Sequence, residues 1–149
     1  LVLCGTPLAL DGLRARLLPM VARLPWVGRH LPTIAKRGGP DIADPVERAA
    51  SRSYPAMPLA AVAELLHLQA LVRAELGRVA QPALLLHGRH DHSAPLANLA
   101  LLRRSLASHD VTSHVLARSA HVVTLDYDRD EVARLTGDFL TRIEAHGGP

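Results

Sequence analysis

Residues 82–91 read Pro-Ala-Leu-Leu-Leu-His-Gly-Arg-His-Asp, a short apolar run enclosed by a proline and a glycine. The run is too short for a typical helix, and its continuous apolarity between Pro82 and Gly88 favours a strand at the centre of a parallel sheet. This strand leads directly towards Asp91. Because reactive side chains in open parallel sheets collect on the loops that follow the strands, Asp91 lies where a functional group is expected.

The rest of the chain alternates between the patterns of strands and helices. Apolar residues recur at helical spacing in three stretches, and two further short runs are apolar or rich in β-branched residues. The predicted elements are strands at residues 1–4, 83–87 and 111–116, and helices at 58–77, 95–108 and 129–146. Helices that separate consecutive strands are typical of a parallel sheet with right-handed crossovers. The predicted fold class is therefore α/β, with helices flanking a parallel sheet.

Residues 8–56 interrupt this alternation. Leucines recur there at helical spacing, but three prolines break the pattern, and the Gly-Gly-Pro sequence at residues 38–40 ends it. We interpret the segment as a partly helical insertion. It separates a core strand at residues 1–7 from a second core region at residues 57–149.

Composition excludes several classes of protein. With 149 residues, 48% of them hydrophobic, the chain is long and apolar enough for one compact domain. The net charge of +3 is scattered along the chain and only 3% of residues are aromatic, which argues against a nucleic-acid partner. A single cysteine excludes an internal disulfide and agrees with a reducing cytoplasm. No window approaches the roughly 18 apolar residues of a membrane span.

A histidine follows the next predicted strand along the chain. His121 lies just beyond the strand at residues 111–116, and 30 positions separate it from Asp91, which is the length of one helix and one strand. The two loops are therefore expected to follow neighbouring strands, so that the carboxylate and the imidazole meet. A carboxylate that accepts from an imidazole N–H fixes its tautomer and stabilises the imidazolium. The pair predicts an acid–base unit for nucleophilic catalysis.

The sequences around both residues resemble a known family. Residues 85–91 (LLHGRHD) with Pro95, and then residues 119–126 (SAHVVTLD), are similar to the acid and histidine motifs of small bacterial carboxylesterases and monoacylglycerol lipases. These enzymes belong to the α/β-hydrolase superfamily, in which the nucleophile, acid and base follow in that order along the chain. The resemblance covers the whole chain, from the strand after the nucleophile helix to the final helix.

The resemblance implies a function and a role for each part. Asp91 would be the acid and His121 the base of a catalytic triad, and residues 8–56 would form a cap over the acyl pocket. The implied activity is serine-dependent hydrolysis of a small-molecule carboxylic ester, without a cofactor or a metal. Such a protein would need no nucleic-acid partner and no membrane span.

Three apolar residues of the insertion are candidates for binding the substrate. The acyl pockets of ester hydrolases are mostly apolar, which fits Leu17, Val21 and Trp26. The same side chains could instead pack the insertion against the sheet, because an insertion must bury its own apolar face. The sequence leaves both interpretations open.

The chain departs from the family pattern in one respect. No Gly-x-Ser-x-Gly sequence occurs in its 149 residues, so the nucleophile elbow and the oxyanion-hole loop are absent from it. The first residue, Leu1, also lies directly within a predicted strand. We therefore expect a C-terminal part of a longer hydrolase that is inactive alone.

Two other functions remain compatible with the residues. Amide, epoxide or haloalkane hydrolysis by related enzymes uses similar acid and base loops, and the nucleophile and oxyanion loops decide the chemistry. A non-catalytic interaction module is the alternative outside enzymology, and the exposed edge beside the first strand would then need a partner.

Five further polar residues have a simpler interpretation than a catalytic one. His87, His90 and His92 crowd around the predicted acid, but no second ligand pair with metal-site spacing accompanies them, so solvated loop histidines are favoured over zinc ligands. Cys4 lacks the flanking glycines of a nucleophile elbow and is expected to be a buried residue of a strand covered on both faces. Asp126 is expected to have a structural or capping role.

Overall fold

A computed structural model describes residues 1–10, 33–35 and 39–146 of the chain. The strands at residues 2–4, 83–88 and 111–116 alternate with helices as the sequence predicts, whereas two short strands at residues 33–35 and 56–58 have no counterpart in the prediction. None of the helices in these ranges is long and apolar enough to cross a membrane. The strands are β1 (Val2–Cys4), β2 (Thr33–Ala35), β3 (Ala56–Pro58), β4 (Ala83–Gly88) and β5 (Val111–Leu116), and the helices are α1 (Pro45–Ala50), α2 (Leu59–Glu75), α3 (Ala97–Ser105) and α4 (Arg129–His146).

The main sheet is parallel and has the strand order β1-β4-β5. Leu85 of β4 pairs with Leu3 on one side and with Ser113 on the other, so β4 lies between the two other strands. All six residues of β4 are buried, which explains why the strand is apolar without alternation. The predicted α/β class with a parallel sheet flanked by helices is confirmed.

Two apolar clusters cover the two faces of the sheet. Successive residues of β4 point to opposite faces, so Leu84 and Leu86 enter one cluster and Leu85 enters the other. The first cluster is completed by the end of β5, the loop after it and the final helix, through Leu116, Val123, Val132, Leu135 and Phe139. The second cluster contains Leu8, Leu76, Ala83, Leu102 and Leu106. Helices on both faces therefore fix the position of the central strand.

The first strand differs from expectation. Val2 and Leu3 are only half-buried and Cys4 is exposed, whereas the sequence predicts a strand buried on both faces and a buried thiol. The reason is that β1 has β4 as its single neighbour in the described part of the sheet. The apolarity of the run correctly indicates a strand of the sheet but not the number of its neighbours.

Buried polar side chains attach the loop after β1 to the helices. Gln69 of α2 donates from Nε2 to the carbonyl of Pro7 at 2.7 Å. Asn98 of α3 accepts from the amide of Ala9 at 2.7 Å and donates to the carbonyl of the same residue at 2.9 Å. These bonds satisfy backbone groups that the apolar surroundings would otherwise leave unpaired.

The helices begin and end close to their predicted limits. Helix α2 stops at Glu75 and continues as a 3-10 turn over Leu76–Arg78, so the predicted end at Gly77 falls within that turn. Helix α3 is shorter than predicted at both ends, because Leu96 is its N-cap residue, so that Pro95 precedes the helix, and Leu106 already has an extended backbone.

Part of the insertion lies within the described residues. Strands β2 and β3 pair antiparallel in a separate two-stranded sheet, and helix α1 begins after Asp44, whose carboxylate accepts from the amide of Val46 at 2.9 Å. Residues 11–32 and 36–38, which make up much of the predicted cap at 8–56, lie outside the described part of the chain.

Candidate active site

The two residues predicted to form an acid–base pair are in contact. Nδ1 of His121 lies 2.9 Å from Oδ2 of Asp91. Because an ionised carboxylate only accepts, Nδ1 carries the proton and donates it, which leaves the lone pair on Nε2. The Asp91 side chain is fully buried and the His121 side chain is 31% exposed, so the imidazole can be reached from outside while the carboxylate cannot.

The acid loop, residues 89–96 between β4 and α3, holds Asp91 through Oδ1 of its carboxylate. Oδ1 accepts from the amides of Ser93 at 2.9 Å and Ala94 at 2.6 Å, which closes a tight turn after β4. Oδ2 accepts from neither amide and faces the imidazole of His121. The turn therefore orients the carboxylate towards the loop that follows β5.

A glycine allows the two loops to approach each other. A Cβ atom at Gly88 would lie 2.0 Å from the carbonyl oxygen of Ala120 and 2.6 Å from that of Ser119. Both are backbone atoms, so a change of side-chain rotamer cannot relieve the clash. The amide of His90 donates to the same Ser119 carbonyl at 3.1 Å. Only a residue without a side chain fits at this point.

A second glycine, Gly5, packs against His121. Gly5 follows β1 with φ +53°, in the left-handed region, and a Cβ atom there would lie 3.3 Å from Nδ1 of His121 and 3.0 Å from its carbonyl oxygen. No local sequence pattern predicts this contact. The loops after all three strands of the main sheet therefore meet at His121.

Asp126 stabilises the histidine loop, residues 117–128 between β5 and α4. Its carboxylate is completely buried and accepts from four backbone amides, those of Ala43, Asp44, Ala120 and Tyr127, at 2.7–2.9 Å. Burial alone would raise the pKa of Asp126, but these four N–H groups outweigh it and lower the pKa below its usual value. This is the structural role that its place in the sequence indicates.

We expect Asp126→Asn to lower the free energy of unfolding by about 2 kcal/mol or more. Each carboxylate oxygen accepts from two amides, so either orientation of the asparagine leaves two N–H groups facing an NH₂ group. Urea unfolding measures the effect, with Asp138→Asn on the exposed face of α4 as the control that changes little. Equal losses in the two variants would contradict the role of Asp126.

The Asp126 contribution also has a defined pH dependence. Because the folded-state pKa of Asp126 is lowered, its stabilisation is fully present above the unfolded-state pKa of about 4. It is lost as the pH falls from there through the folded-state pKa.

Asp41 connects the acid loop and the histidine loop, and sequence reasoning missed it. Its backbone carbonyl accepts from the amides of His121 at 3.1 Å and Val122 at 3.2 Å. Its side chain accepts from the His92 amide at 2.9 Å and from Oγ of Ser93 at 2.8 Å. The only indication in the sequence is that Asp41 follows Gly-Gly-Pro at the end of the insertion.

The electrostatics of the pair favour a charged carboxylate and a basic imidazole. Burial alone would raise the pKa of Asp91, but hydrogen bonds from His121, from His87 and from the Ala94 amide lower it far below its usual range. The hydrogen bond to Asp91 raises the pKa of His121 and outweighs the opposing effect of burial. The arrangement therefore strengthens His121 as a proton acceptor.

The three histidines near the acid have different environments. His90 and His92 are exposed, as expected of loop histidines. His87 is not solvated but 1% exposed: its Nε2 lies 2.9 Å from the carbonyl oxygen of Ala94 and 3.2 Å from Oδ2 of Asp91. The expectation failed for His87 because a position at the end of a central strand remains inside the sheet. In the described ranges no cluster of three or more metal-ligating side chains occurs.

The candidates for substrate binding, Leu17, Val21 and Trp26, lie outside the described residues.

Comparisons with known proteins agree with the fold. A thermostable monoacylglycerol lipase of Bacillus sp. (strain H-257) is 28% identical over 125 residues, which cover 84% of this chain and 49% of the lipase. A solved structure from the pair of metagenome-derived lipolytic enzymes LipS and LipT matches with a TM-score of 0.82 at 25% identity. The match covers 95% of this chain and 54% of the chain in that structure. No protein-family model matches.

A more distant match supports the fold. A soluble variant of monoglyceride lipase from Saccharomyces cerevisiae matches with a TM-score of 0.70 at 16% identity, over 95% of this chain and 55% of the lipase. The chain thus spans about half the length of the proteins it matches. It is a member of the α/β-hydrolase superfamily, of the esterase and monoacylglycerol lipase type, and the resemblance seen in its sequence is confirmed.

Proposed function

We propose that this chain supplies the acid and the base of a serine-dependent carboxylic ester hydrolase. The observation that carries the proposal is the hydrogen bond of 2.9 Å between Nδ1 of His121 and Oδ2 of Asp91. It places the proton on Nδ1, so that Nε2 is free to accept a proton from a nucleophile. Similarity to lipases and esterases supports esters as the substrates.

In each half-reaction of the proposed mechanism, His121 first accepts a proton and then donates it. As a serine Oγ bonds to the ester carbonyl carbon, its proton passes to Nε2 of His121, and Asp91 stabilises the resulting imidazolium. The tetrahedral intermediate then breaks its bond to the alcohol oxygen, which takes the proton from Nε2. Water repeats the sequence on the acyl-enzyme, releases the carboxylic acid and restores the serine.

The serine and the oxyanion hole would lie on a segment N-terminal to Leu1. The chain contains no Gly-x-Ser-x-Gly sequence, and it spans about half the length of each lipase or lipolytic enzyme that it matches. In this superfamily the nucleophile precedes the acid and the base. We propose accordingly that the 149-residue chain is inactive alone.

The insertion at residues 8–56 would form the cap over the acyl-binding pocket, and residues 1–7 and 57–149 would belong to the hydrolase core. Asp41, in the C-terminal part of the insertion, supports this assignment because it contacts both the acid loop and the histidine loop. Leu17, Val21 and Trp26 remain the candidates for contact with the acyl chain.

Ester hydrolysis tests the proposal directly. We would compare the 149-residue chain with a form extended upstream in its reading frame, using p-nitrophenyl butyrate, monoacylglycerol and a fluorophosphonate that labels activated serines. Hydrolysis and labelling are expected in the extended form and not in the chain alone. An extended form that neither hydrolyses esters nor reacts with the fluorophosphonate would exclude a serine esterase.

The pH dependence of the extended form should reflect the environment of His121. Because Asp91 raises the pKa of His121, kcat/KM should fall as the pH drops through a midpoint above about 6.5, where His121 becomes protonated and cannot accept a proton. Asp91→Asn removes the charge and should move the midpoint to lower pH. A midpoint that does not respond to Asp91→Asn would separate His121 from Asp91 in catalysis.

A further inference from the structure

A second imidazole contacts the carboxylate of the acid–base pair. His87 lies in β4, one residue before its end, and its side chain is 1% exposed. Its Nε2 lies 3.2 Å from Oδ2 of Asp91, the same oxygen that accepts from His121. The proposed ester hydrolysis assigns no task to this buried histidine.

The surroundings of His87 fix its tautomer. Nε2 faces two groups that only accept, the carbonyl oxygen of Ala94 at 2.9 Å and Oδ2 of Asp91. A bare nitrogen lone pair would be repelled by both, so Nε2 carries the proton and shares it between them. His87 is thus a hydrogen-bond donor to Asp91 at any pH at which the site is folded.

The donors around Asp91 then divide between its two oxygens. The amides of Ser93 and Ala94 bind Oδ1, and the imidazoles of His87 and His121 bind Oδ2. A carboxylate oxygen that serves two donors offers less electron density to each of them. The strength of the bond to His121 must therefore depend on His87.

We propose that His87 is a positioning residue of the acid–base pair, which orients Oδ2 of Asp91 and moderates the basicity of His121 by sharing that oxygen with it. The inference rests on the proposed function only in taking His121 as the base. Among the described residues, the charged or titratable groups that act on this pair are Asp91, Asp41, His87 and His121 themselves. Asp41 pairs with His92 on the exposed side of the site, so substitutions at His87 are expected to leave it unchanged.

Two variants separate the donor from the bulk of the side chain. His87→Gln places an amide N–H where Nε2 stands and keeps the donor, whereas His87→Leu has a similar volume and no donor. Because neither side chain can be charged, a difference between them reports the hydrogen bond alone. The readout is the titration of the His121 imidazole by NMR, which needs no nucleophile and can be followed in this chain.

The expected result is that His121 titrates at a higher pH in His87→Leu than in His87→Gln, by about 0.5 pH unit or more. In the extended form the acid limb of kcat/KM should move in the same direction by the same amount, with a loss in kcat and little change in KM. A merely structural role for His87 would lower stability without moving either midpoint.

Identical His121 titration in the two folded variants would overturn the proposal. If His87→Leu does not fold, His87→Met, which fills irregular space without a donor, takes its place in the same comparison. A shifted titration in an extended form that hydrolyses no ester would refute the esterase function and leave the role of His87 intact. The two proposals can therefore fail separately.

Discussion

Replacing His121 with alanine is expected to lower kcat/KM for p-nitrophenyl butyrate by about 10⁴-fold or more in the extended, serine-containing form. The imidazole is the group through which the proton passes when the ester bond is attacked, and its Nδ1 is held by Asp91 at 2.9 Å. Without it the serine remains protonated and a poor nucleophile. Fluorophosphonate labelling should be lost together with turnover, because labelling needs the same activated serine.

His90→Ala is the matched control for this prediction. His90 lies on the acid loop next to Asp91 and is exposed, so its removal should leave turnover within about twofold of the unmodified protein. Unfolding in urea shows whether both variants keep their stability. A His121→Ala variant that is folded and turns over esters normally would remove His121 from the mechanism.

Gly88→Ala is expected to have the largest effect on stability, a loss of about 3 kcal/mol or more in the free energy of unfolding. The added methyl group would lie 2.0 Å from one backbone carbonyl oxygen and 2.6 Å from the next, and both belong to the loop that carries His121. Relief requires that this loop move away from β4. Any folded fraction should therefore also show a weakened His121–Asp91 bond and reduced activity.

Gly137→Ala provides the control for an added methyl group. Gly137 lies within α4, and a Cβ atom there would meet nothing within 4 Å apart from its chain neighbours and the backbone of its own helix. Alanine should therefore raise stability by up to about 1 kcal/mol through its better helix propensity. Urea midpoints of the two variants should move in opposite directions. A Gly88→Ala variant as stable as the unmodified chain would mean that the two loops are not in close contact.

The strands and the acid–base pair could be predicted because both depend on local pattern and on a general rule of topology. The apolar run before Gly88 and the β-branched run at residues 111–116 identify β4 and β5 without reference to the rest of the chain. Parallel strands end at the same edge of a sheet, so residues that follow neighbouring strands meet. The contact between Asp91 and His121 follows from these two facts.

The contacts that stabilise the site could not be predicted, because they involve segments that are distant in sequence from Asp91 and His121. Nothing in the residues around Asp41 indicates that it bonds to loops 51 and 52 positions away. The burial of His87 depends on how closely β5 and its loop cover the end of β4. The exposure of Cys4 depends on the neighbours of β1, which no local pattern specifies.

The bonds of Asp126 also bear on the order in which the chain folds. They link Asp126 to Ala43 and Asp44 across 83 and 82 positions, far more than the separation between β4 and β5. Closing so long a loop has an entropic cost that must be met before the contact gives any stabilisation. The pairing of β4 with β5 can therefore form while the histidine loop is still unsupported, and ordering of the imidazole is expected to be a late folding event that follows docking of Ala43 and Asp44 on Asp126.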